Sequence, residues 1–243
     1  MPNYVRTRIS FVGDKKQVDE LKKFVKGEYK KDNGETRVVE FDFRKIIPIP
    51  EDLMISSSSA GDCGMCYLIL NDKSSFAWTN DDRSFMERME NDKKEKPEFF
   101  NECIELGKKY LANISKYGYK DWYSFCINNW GTKWNACNPE WISDDQVEFD
   151  TAWSFCYKVI KKLSEIFPEI IIEFEYADED LGSNAAVGSF KNGEEINCEF
   201  PDDCSNRAYE IALSLHPQYQ DQLVYDDASD TYKWVEDKLE EEL

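Results

Sequence analysis

The chain has 243 residues, and its 41% of hydrophobic and 14% of aromatic residues are sufficient for a folded core, which excludes wholesale disorder. Its 30 lysine and arginine residues and 49 aspartate and glutamate residues give a formal net charge of -19 at pH 7. Because affinity for nucleic acid depends on cationic side chains that neutralise phosphates, this charge argues against bare nucleic acid and favours a partner with a basic surface.

The sequence from Met1 to Arg6 has no apolar run of the kind found in a signal peptide. No later segment approaches the roughly 18 apolar residues of a membrane span. We therefore expect a cytoplasmic protein that does not contact a membrane. In that compartment the 8 cysteines are expected to be reduced thiols.

The predicted elements start with a strand over residues 4–12, in which apolar and polar residues alternate. Asp14 is suited to cap a helix that runs up to Gly27. A second strand is predicted over 36–43, and the small polar residues of 55–64 predict a loop.

Helix-favouring residues follow in the middle of the chain. A charged stretch from Asp81 to Lys116, interrupted by Pro97, leads to a short aromatic helix over 121–130. Together they predict a helical, tryptophan-rich insertion at about 81–130.

The third quarter of the chain has a regular order of strand, helix, strand, hairpin and helix. The strands are predicted over 147–153 and 170–176, the hairpin turns at Asn192-Gly193, and the last helix covers about 205–215. This split βαβ pattern predicts an α+β fold with a ferredoxin-like antiparallel sheet, helices packed on one face, and the helical insertion.

The predicted domain organisation is simple. Residues 1–216 are expected to form a single ferredoxin-like domain that contains the insertion. From Pro217 onward acidic residues greatly outnumber basic ones, but several aromatic and aliphatic residues remain. We therefore expect 217–243 to be an acidic tail that is partly docked.

The most distinctive segment is rich in tryptophan, since most of the chain's 7 tryptophans lie between residues 122 and 153. One interpretation is structural: the indoles fill the interface between the sheet and the helices. The other is an aromatic platform whose polar neighbours hold a ligand or a peptide. The candidate ligand- or partner-binding residues are Trp122, Asn128, Asn129, Trp130, Thr132, Lys133, Trp134 and Asn135.

No complete catalytic motif is present, so we predict no catalytic residue and no cofactor. Cys63 and Cys66 have the spacing of a redox pair or of half a zinc site, but they lack a well-spaced second pair and are only weak metal candidates. His216, the single histidine, closes the last predicted helix, where interaction with the terminal carbonyls is its favoured role.

The tryptophan-rich segment Asn129 to Ala136, which reads Asn-Trp-Gly-Thr-Lys-Trp-Asn-Ala, resembles the hallmark of a family of phage- and plasmid-borne proteins with a YubB-type ferredoxin-like domain. Phe41-Asp42-Phe43 and Lys45 to Pro48 are similar to the family's N-terminal block, and Phe149 to Trp153 are similar to its C-terminal block. The resemblance covers roughly residues 1–200 and implies a ferredoxin-like core and a mobile-element protein in the cytoplasm of a bacterial host cell.

Three classes of function stay open at this point. The leading hypothesis is a non-enzymatic mobile-element protein that binds and modulates a host protein with a basic surface. Its expected role is counter-defence, that is, to counteract a defence system of the host. The alternative is a sponge or sensor for a small-molecule ligand, which uses the tryptophan-rich region and a lid formed by Ser56 to Cys66. The third and least favoured hypothesis is an enzyme with a dispersed carboxylate site or a cysteine site.

Overall fold

The computed structural model describes residues 3–30, 34–73, 75 and 78–235. The chain divides into two compact units. The first comprises Met1–Pro48 and Asn128–Leu243, and the second comprises Ile49–Ile127. Within the described ranges, no helix combines the length and the apolar composition needed to cross a membrane.

The first unit contains both helices and strands, whereas the second unit is helical. In chain order the elements are β1 (Tyr4–Val12), α1 (Lys15–Val25), β2 (Gly27–Lys30), β3 (Thr36–Val39), α2 (Phe43–Ile46), α3 (Ser59–Asp72), α4 (Asn80–Glu95), α5 (Pro97–Tyr117), α6 (Trp122–Asn129), β4 (Cys137–Trp141), β5 (Gln146–Ala152), α7 (Tyr157–Ile166), β6 (Ile171–Asp178), β7 (Ala186–Lys191), β8 (Glu194–Glu199), α8 (Asn206–Leu215), β9 (Leu223–Asp226) and β10 (Thr231–Trp234).

The first unit is built on a six-stranded antiparallel sheet with the strand order β4-β5-β1-β6-β7-β8. Its core elements follow one another along the chain as β1, α1, β4, β5, α7 and β6. Two βαβ units are thereby interleaved, which is the arrangement of a ferredoxin-like sandwich. The predicted α+β, ferredoxin-like fold is confirmed.

One face of the sheet carries the core. Along β1 the residues Val5, Ile9 and Phe11 are buried, and the arginines that alternate with them point to the other face. The helices contribute their own buried apolar residues to this core, which are Val18, Leu21, Val25, Val159, Ile160 and Leu163.

The opposite face is partly covered by α8. Ala177 of β6, which pairs in register with Arg6, clusters with Ala208, Ile211 and Leu215 of α8. Small alanine side chains at this contact let the helix lie close to the strand. The arginines of β1 therefore lie beside α8 rather than in the apolar core.

After α8 the chain forms a short 3₁₀ helix at Pro217–Tyr219 and the hairpin β9-β10. The ring of Tyr232 in β10 lies 5.5 Å from that of Tyr209 in α8. The described part of the predicted acidic tail is thus packed against the last helix, whereas residues 236–243 lie outside the described residues.

The second unit contains α3, α4, α5 and most of α6. The loop predicted over 55–64 is wrong in its second half, because Ser58 caps α3, which begins at Ser59. The helix is stabilised here by close packing against α5, which Gly64 permits. A methyl group at this position would lie 1.7 Å from the carbonyl oxygen of Cys103, so only glycine lets α3 and α5 cross at this distance. Helix–helix packing outweighs the low helix propensity of this glycine.

Candidate functional site

The predicted site residues Trp130 and Thr132 are buried in the first unit. Trp130 is 2% exposed, and its indole donates a hydrogen bond of 2.9 Å to the carbonyl of Ile47. The hydroxyl of Thr132 donates to the carbonyl of Ala152 over 2.9 Å. Trp130 therefore holds its loop to the end of α2 and Thr132 holds it to β5, and neither side chain offers a free polar group to a ligand.

Asn135 joins the tryptophan-rich segment to the N-terminal part of the unit. Its Oδ1 atom accepts hydrogen bonds from the backbone amides of Phe43 at 2.8 Å and Ala136 at 3.0 Å. Its Nδ2 group donates to Oδ1 of the fully buried Asp42 over 2.7 Å. This set of bonds fixes the start of α2, which the Asp42 carboxylate also caps through the amide of Arg44.

Lys133 and Trp134 are the predicted residues nearest to a surface platform. The Lys133 ammonium lies 4.6 Å from the ring centroid of Trp134 and 5.0 Å from that of Trp153, which is 46% exposed. Both distances are within the range of cation–π attraction. The two rings therefore already make cation–π contacts with a lysine of this protein.

The other predicted residues are spread over α6 and its end. Trp122 is half-buried in the second unit, where its ring lies 5.9 Å from that of Tyr123. Asn128 is exposed, and its carbonyl accepts a hydrogen bond of 2.6 Å from Lys158. Asn129 is half-buried at the last residue of the helix. The structure does not bring the predicted residues together into one pocket.

A cleft that the sequence did not indicate lies on the sheet face opposite α1 and α7. This open-face cleft has a volume of about 620 Å³, within the range of ligand pockets. Its floor comes from β1, β4 and β5, and its wall from the end of α8 and the following 3₁₀ helix. The lining residues are Tyr4, Arg6, Arg8, Asn138, Glu148, Asp150, Glu179, Leu215, His216, Pro217, Gln218 and Tyr219.

Sheet register determines the charges on the floor of the open-face cleft. Arg6 pairs with Asp150 and Arg8 with Glu148 across β1 and β5, so all four side chains share one face. Arg6 contacts Glu148 at 2.6 Å and Asp150 at 3.2 Å. Arg8 contacts Glu148 at 2.7 Å and also pairs with Glu175 of β6. Each guanidinium therefore bridges two carboxylates.

These ion pairs shift the pKa values of Arg6, Arg8 and Glu148. Burial opposes the charge of Arg6 and Arg8, but hydrogen bonds to Glu148 and nearby negative charges raise the pKa of both guanidinium groups. Burial likewise opposes the charge of Glu148, yet hydrogen bonds from the two arginines hold the pKa of its carboxyl below the ordinary value. Arg6, Arg8 and Glu148 are therefore charged at neutral pH.

His216 forms part of the cleft wall. Burial lowers the pKa of its imidazole, and the positive charge of Arg6 acts in the same direction. The ring is therefore neutral near pH 7, and its Nε2 atom is buried without a hydrogen-bond partner among the described residues. His216 directly follows α8, as predicted, but its contact with the cleft was not foreseen.

Cys63 and Cys66 lie on α3 in the second unit. Burial raises the pKa of the Cys66 thiol, which disfavours the thiolate that a redox or nucleophilic cysteine needs. The guanidinium of Arg88 lies 3.8 Å from the sulfur of Cys63. Among the described side chains, no group of three histidine, cysteine, aspartate or glutamate residues is arranged to hold a metal ion.

Comparison with known proteins gives one domain-level result. Residues 129–214 match the family model described as the ferredoxin-like domain in Api92-like protein. The matched part begins at the end of α6 and extends to α8, and thus contains five strands of the sheet. This part of the chain is similar to an Api92-like ferredoxin-like domain, in agreement with the observed topology.

A solved structure also shows a partial similarity. The crystal structure of the protein api92 from Yersinia pseudotuberculosis aligns with a TM-score of 0.41 at 10% sequence identity. The alignment covers 83% of this chain and 99% of that chain. No curated protein matches the chain.

Proposed function

We propose that the chain is a non-enzymatic protein that binds a basic surface of a host protein and modulates that protein. The open-face cleft is the contact site. The role in a mobile element, with counter-defence as its purpose, is supported by the sequence resemblance to phage- and plasmid-borne proteins. The partner then lies in the cytoplasm of the bacterial host.

The observation that carries this proposal is the neutralisation of Arg6 and Arg8. Two arginines in a cleft normally indicate an anionic ligand, because a guanidinium recognises carboxylate and phosphate groups. Here both guanidinium groups are already paired with carboxylates of the sheet. The lining contains three carboxylates against these two arginines, with His216 neutral. The cleft is therefore negative and suits a cationic group.

The rim offers the best place to test this charge. The exposed Glu179 lines the cleft, and its carboxylate accepts a hydrogen bond of 3.1 Å from the backbone amide of Tyr4 rather than from either arginine. Glu179→Lys therefore reverses a charge of the cleft without breaking the arginine pairs. Glu20→Lys is the matched control, because Glu20 is exposed on α1, which packs on the other face of the sheet.

The experiment is affinity capture from bacterial host lysate, with washes of increasing ionic strength. We expect the unmodified chain and Glu20→Lys to retain the same basic protein at moderate salt. Glu179→Lys should retain about tenfold less of this protein, since like charges at an interface are strongly unfavourable. Capture of no partner at any salt would contradict the proposal. Equal loss of the partner in both variants would show that retention depends on the net charge of the chain and not on the open-face cleft.

A second function is supported by the size of the open-face cleft, since about 620 Å³ would hold a small molecule. In this case the chain is a sponge or sensor for a cationic or zwitterionic metabolite. A ligand that binds only the folded state must raise the melting temperature. A thermal-shift screen of polyamines, amino acids and nucleotides tests this function, and it fails if none of them shifts the transition.

A further inference from the structure

A second cleft, which shares Asn138 with the open-face cleft, lies between β3 and β4 in the first unit. This edge groove has a volume of about 450 Å³. One wall is the run from Arg37 to Glu40, and the other is the run from Trp134 to Pro139. Both walls come from consecutive residues.

Consecutive residues indicate that strand edges form the walls. Successive side chains of a strand point to opposite faces, so a cleft over one face would be lined by every second residue. When every residue of a run lines the cleft, the main chain itself forms the wall, together with side chains from both faces of the strand. The edge groove therefore runs along the outer edge of β3 on one side, and along the segment that leads into β4 and the first three residues of β4 on the other.

Neither edge has a strand partner in the described part of the chain. Within the described residues, β3 pairs only with β2, and β4 is the terminal strand of the six-stranded sheet and pairs only with β5. No other backbone hydrogen bond of the described chain involves residues 36–39 or 137–141. An unpaired edge presents free amide and carbonyl groups to another extended chain.

The two edges are not equally suited to a new strand. Pro139 has no amide hydrogen, Asn138 has a positive φ of 50°, and the register of β4 shifts between Cys137 and Glu140. By contrast, β3 pairs with β2 in an unbroken register. An added strand would therefore pair with β3, and its side chains would pack against the β4 wall.

The surface of the groove is apolar at its centre. Val38 is 45% exposed, and Trp134 and Pro139 are half-buried on the other wall. The indole of Trp141 donates to the carbonyl of Glu40 at 3.4 Å and so joins the two walls. Asn138 lines both the edge groove and the open-face cleft, so the two surfaces are continuous.

We propose that the edge groove receives an extended segment of the partner protein, which adds as a third strand to β3 and inserts an apolar side chain beside Trp134. Main-chain hydrogen bonds supply the affinity in this mode of recognition, and the side-chain contacts supply the specificity. The inference rests on the proposed function, because the continuity at Asn138 allows a basic residue of the same segment to reach the open-face cleft.

The test uses a displayed library of random ten-residue peptides as the probe and the full chain as bait. We expect the enriched peptides to combine an aliphatic or aromatic residue with a basic residue and to contain no proline next to the apolar position. Hydrogen exchange with a bound peptide should show new protection of those amides of residues 36–39 that point away from β2. Enrichment of no peptide, or protection confined to other segments, would overturn the inference.

Matched variants separate the groove from general effects. Val38→Asp should weaken peptide binding about tenfold or more, because the charge must be desolvated against the apolar side chain. Val12→Asp is the control, since Val12 is 48% exposed at the end of β1 and does not line the groove. It should leave binding within about twofold. Equal effects of the two substitutions would also overturn the inference.

Glu179→Lys distinguishes failure of the groove from failure of the cleft. If it weakens the peptides but leaves the protection of β3 intact, both proposals stand. If it has no effect while Val38→Asp abolishes binding, the edge groove stands and the proposal that the open-face cleft binds a cationic group fails. If only Glu179→Lys weakens binding, strand addition to β3 is wrong and the cleft alone is the binding site.

Discussion

The side-chain amide of Asn135 donates a hydrogen bond of 2.7 Å to the fully buried carboxylate of Asp42, across 93 positions of sequence. Asp42 also accepts from the Tyr29 hydroxyl and from the guanidinium of Arg44 at 3.1 Å. A buried carboxylate is tolerated only when such donors surround it. This contact is therefore structural, although it lies in the segment that the sequence marked as a binding site.

Asn135→Ala should destabilise the fold by about 3 kcal/mol, because it removes a donor to Asp42 and leaves the amide of Phe43 without its acceptor. Urea unfolding followed by tryptophan fluorescence measures the change. Asn101→Ala, at an exposed position of α5, is the control and should change the free energy of unfolding by less than about 0.5 kcal/mol. A loss for Asn135→Ala as small as that of the control would show that the hydrogen-bond network is not required.

Alkaline pH should weaken the fold through Tyr29. Burial and the hydrogen bond to Asp42 raise the pKa of Tyr29 from 10.0 to about 12. The folded chain then keeps a proton that the unfolded chain loses, so this contribution is complete below about pH 10 and is lost as the pH rises towards 12. Tyr29→Phe should flatten the decline of the free energy of unfolding over this interval, whereas an unchanged slope would exclude a role for Tyr29.

Acidic pH should weaken the fold through Glu148. Its pKa is lowered in the folded state, so its contribution is present above its ordinary pKa and is lost as the pH falls through the folded value. Glu148→Gln should cost about 2 kcal/mol at neutral pH, since both arginines lose a charged partner, and it should reduce the loss of stability on acidification. Glu173→Gln, at an exposed position of the same sheet face, is the control. Identical acid profiles for wild type and Glu148→Gln would contradict the assignment.

Gly64→Ala should destabilise the second unit by about 3 kcal/mol, because the added methyl would meet the Cys103 carbonyl oxygen at 1.7 Å and the two helices must separate. Thermal unfolding by far-UV circular dichroism measures this effect. Asn71→Ala, at an exposed position of the same helix, should be nearly neutral. A Gly64→Ala variant as stable as wild type would mean that α3 and α5 do not cross so closely.

Local signals in the sequence predicted most of the elements correctly. Asp14 caps α1 through the amide of Lys16, as its position before the apolar helix face indicated. Asn192 and Gly193 both have positive φ angles in the turn between β7 and β8, as the dipeptide predicted. These signals act within a few residues, so the sequence alone is sufficient to read them.

The loop predicted over 55–64 was wrong from Ser59 onward, because the contact that decides the structure there is not local. Gly61 and Gly64 favour a loop when only local propensity is considered. Both glycines face α5 at distances that a side chain would obstruct, with the Tyr110 ring 2.5 Å from a methyl placed at Gly61. The helix is stabilised by a neighbour that lies far away in sequence, and no local pattern reports such a contact.

The sequence by itself determined which residues of β1 alternate between the two faces of the sheet, where the helix caps and turns lie, and the acidic character of the chain. It also determined the ferredoxin-like order of the elements. Only the tertiary structure decided that Arg6 contacts Glu148 across 142 positions, and that Asn135 serves the core while Trp134 lines a groove. The physical reason is register. The side chains of a strand are assigned to a face by local alternation, but their partners are chosen by how distant strands align, and that alignment is set by the packing of the whole core.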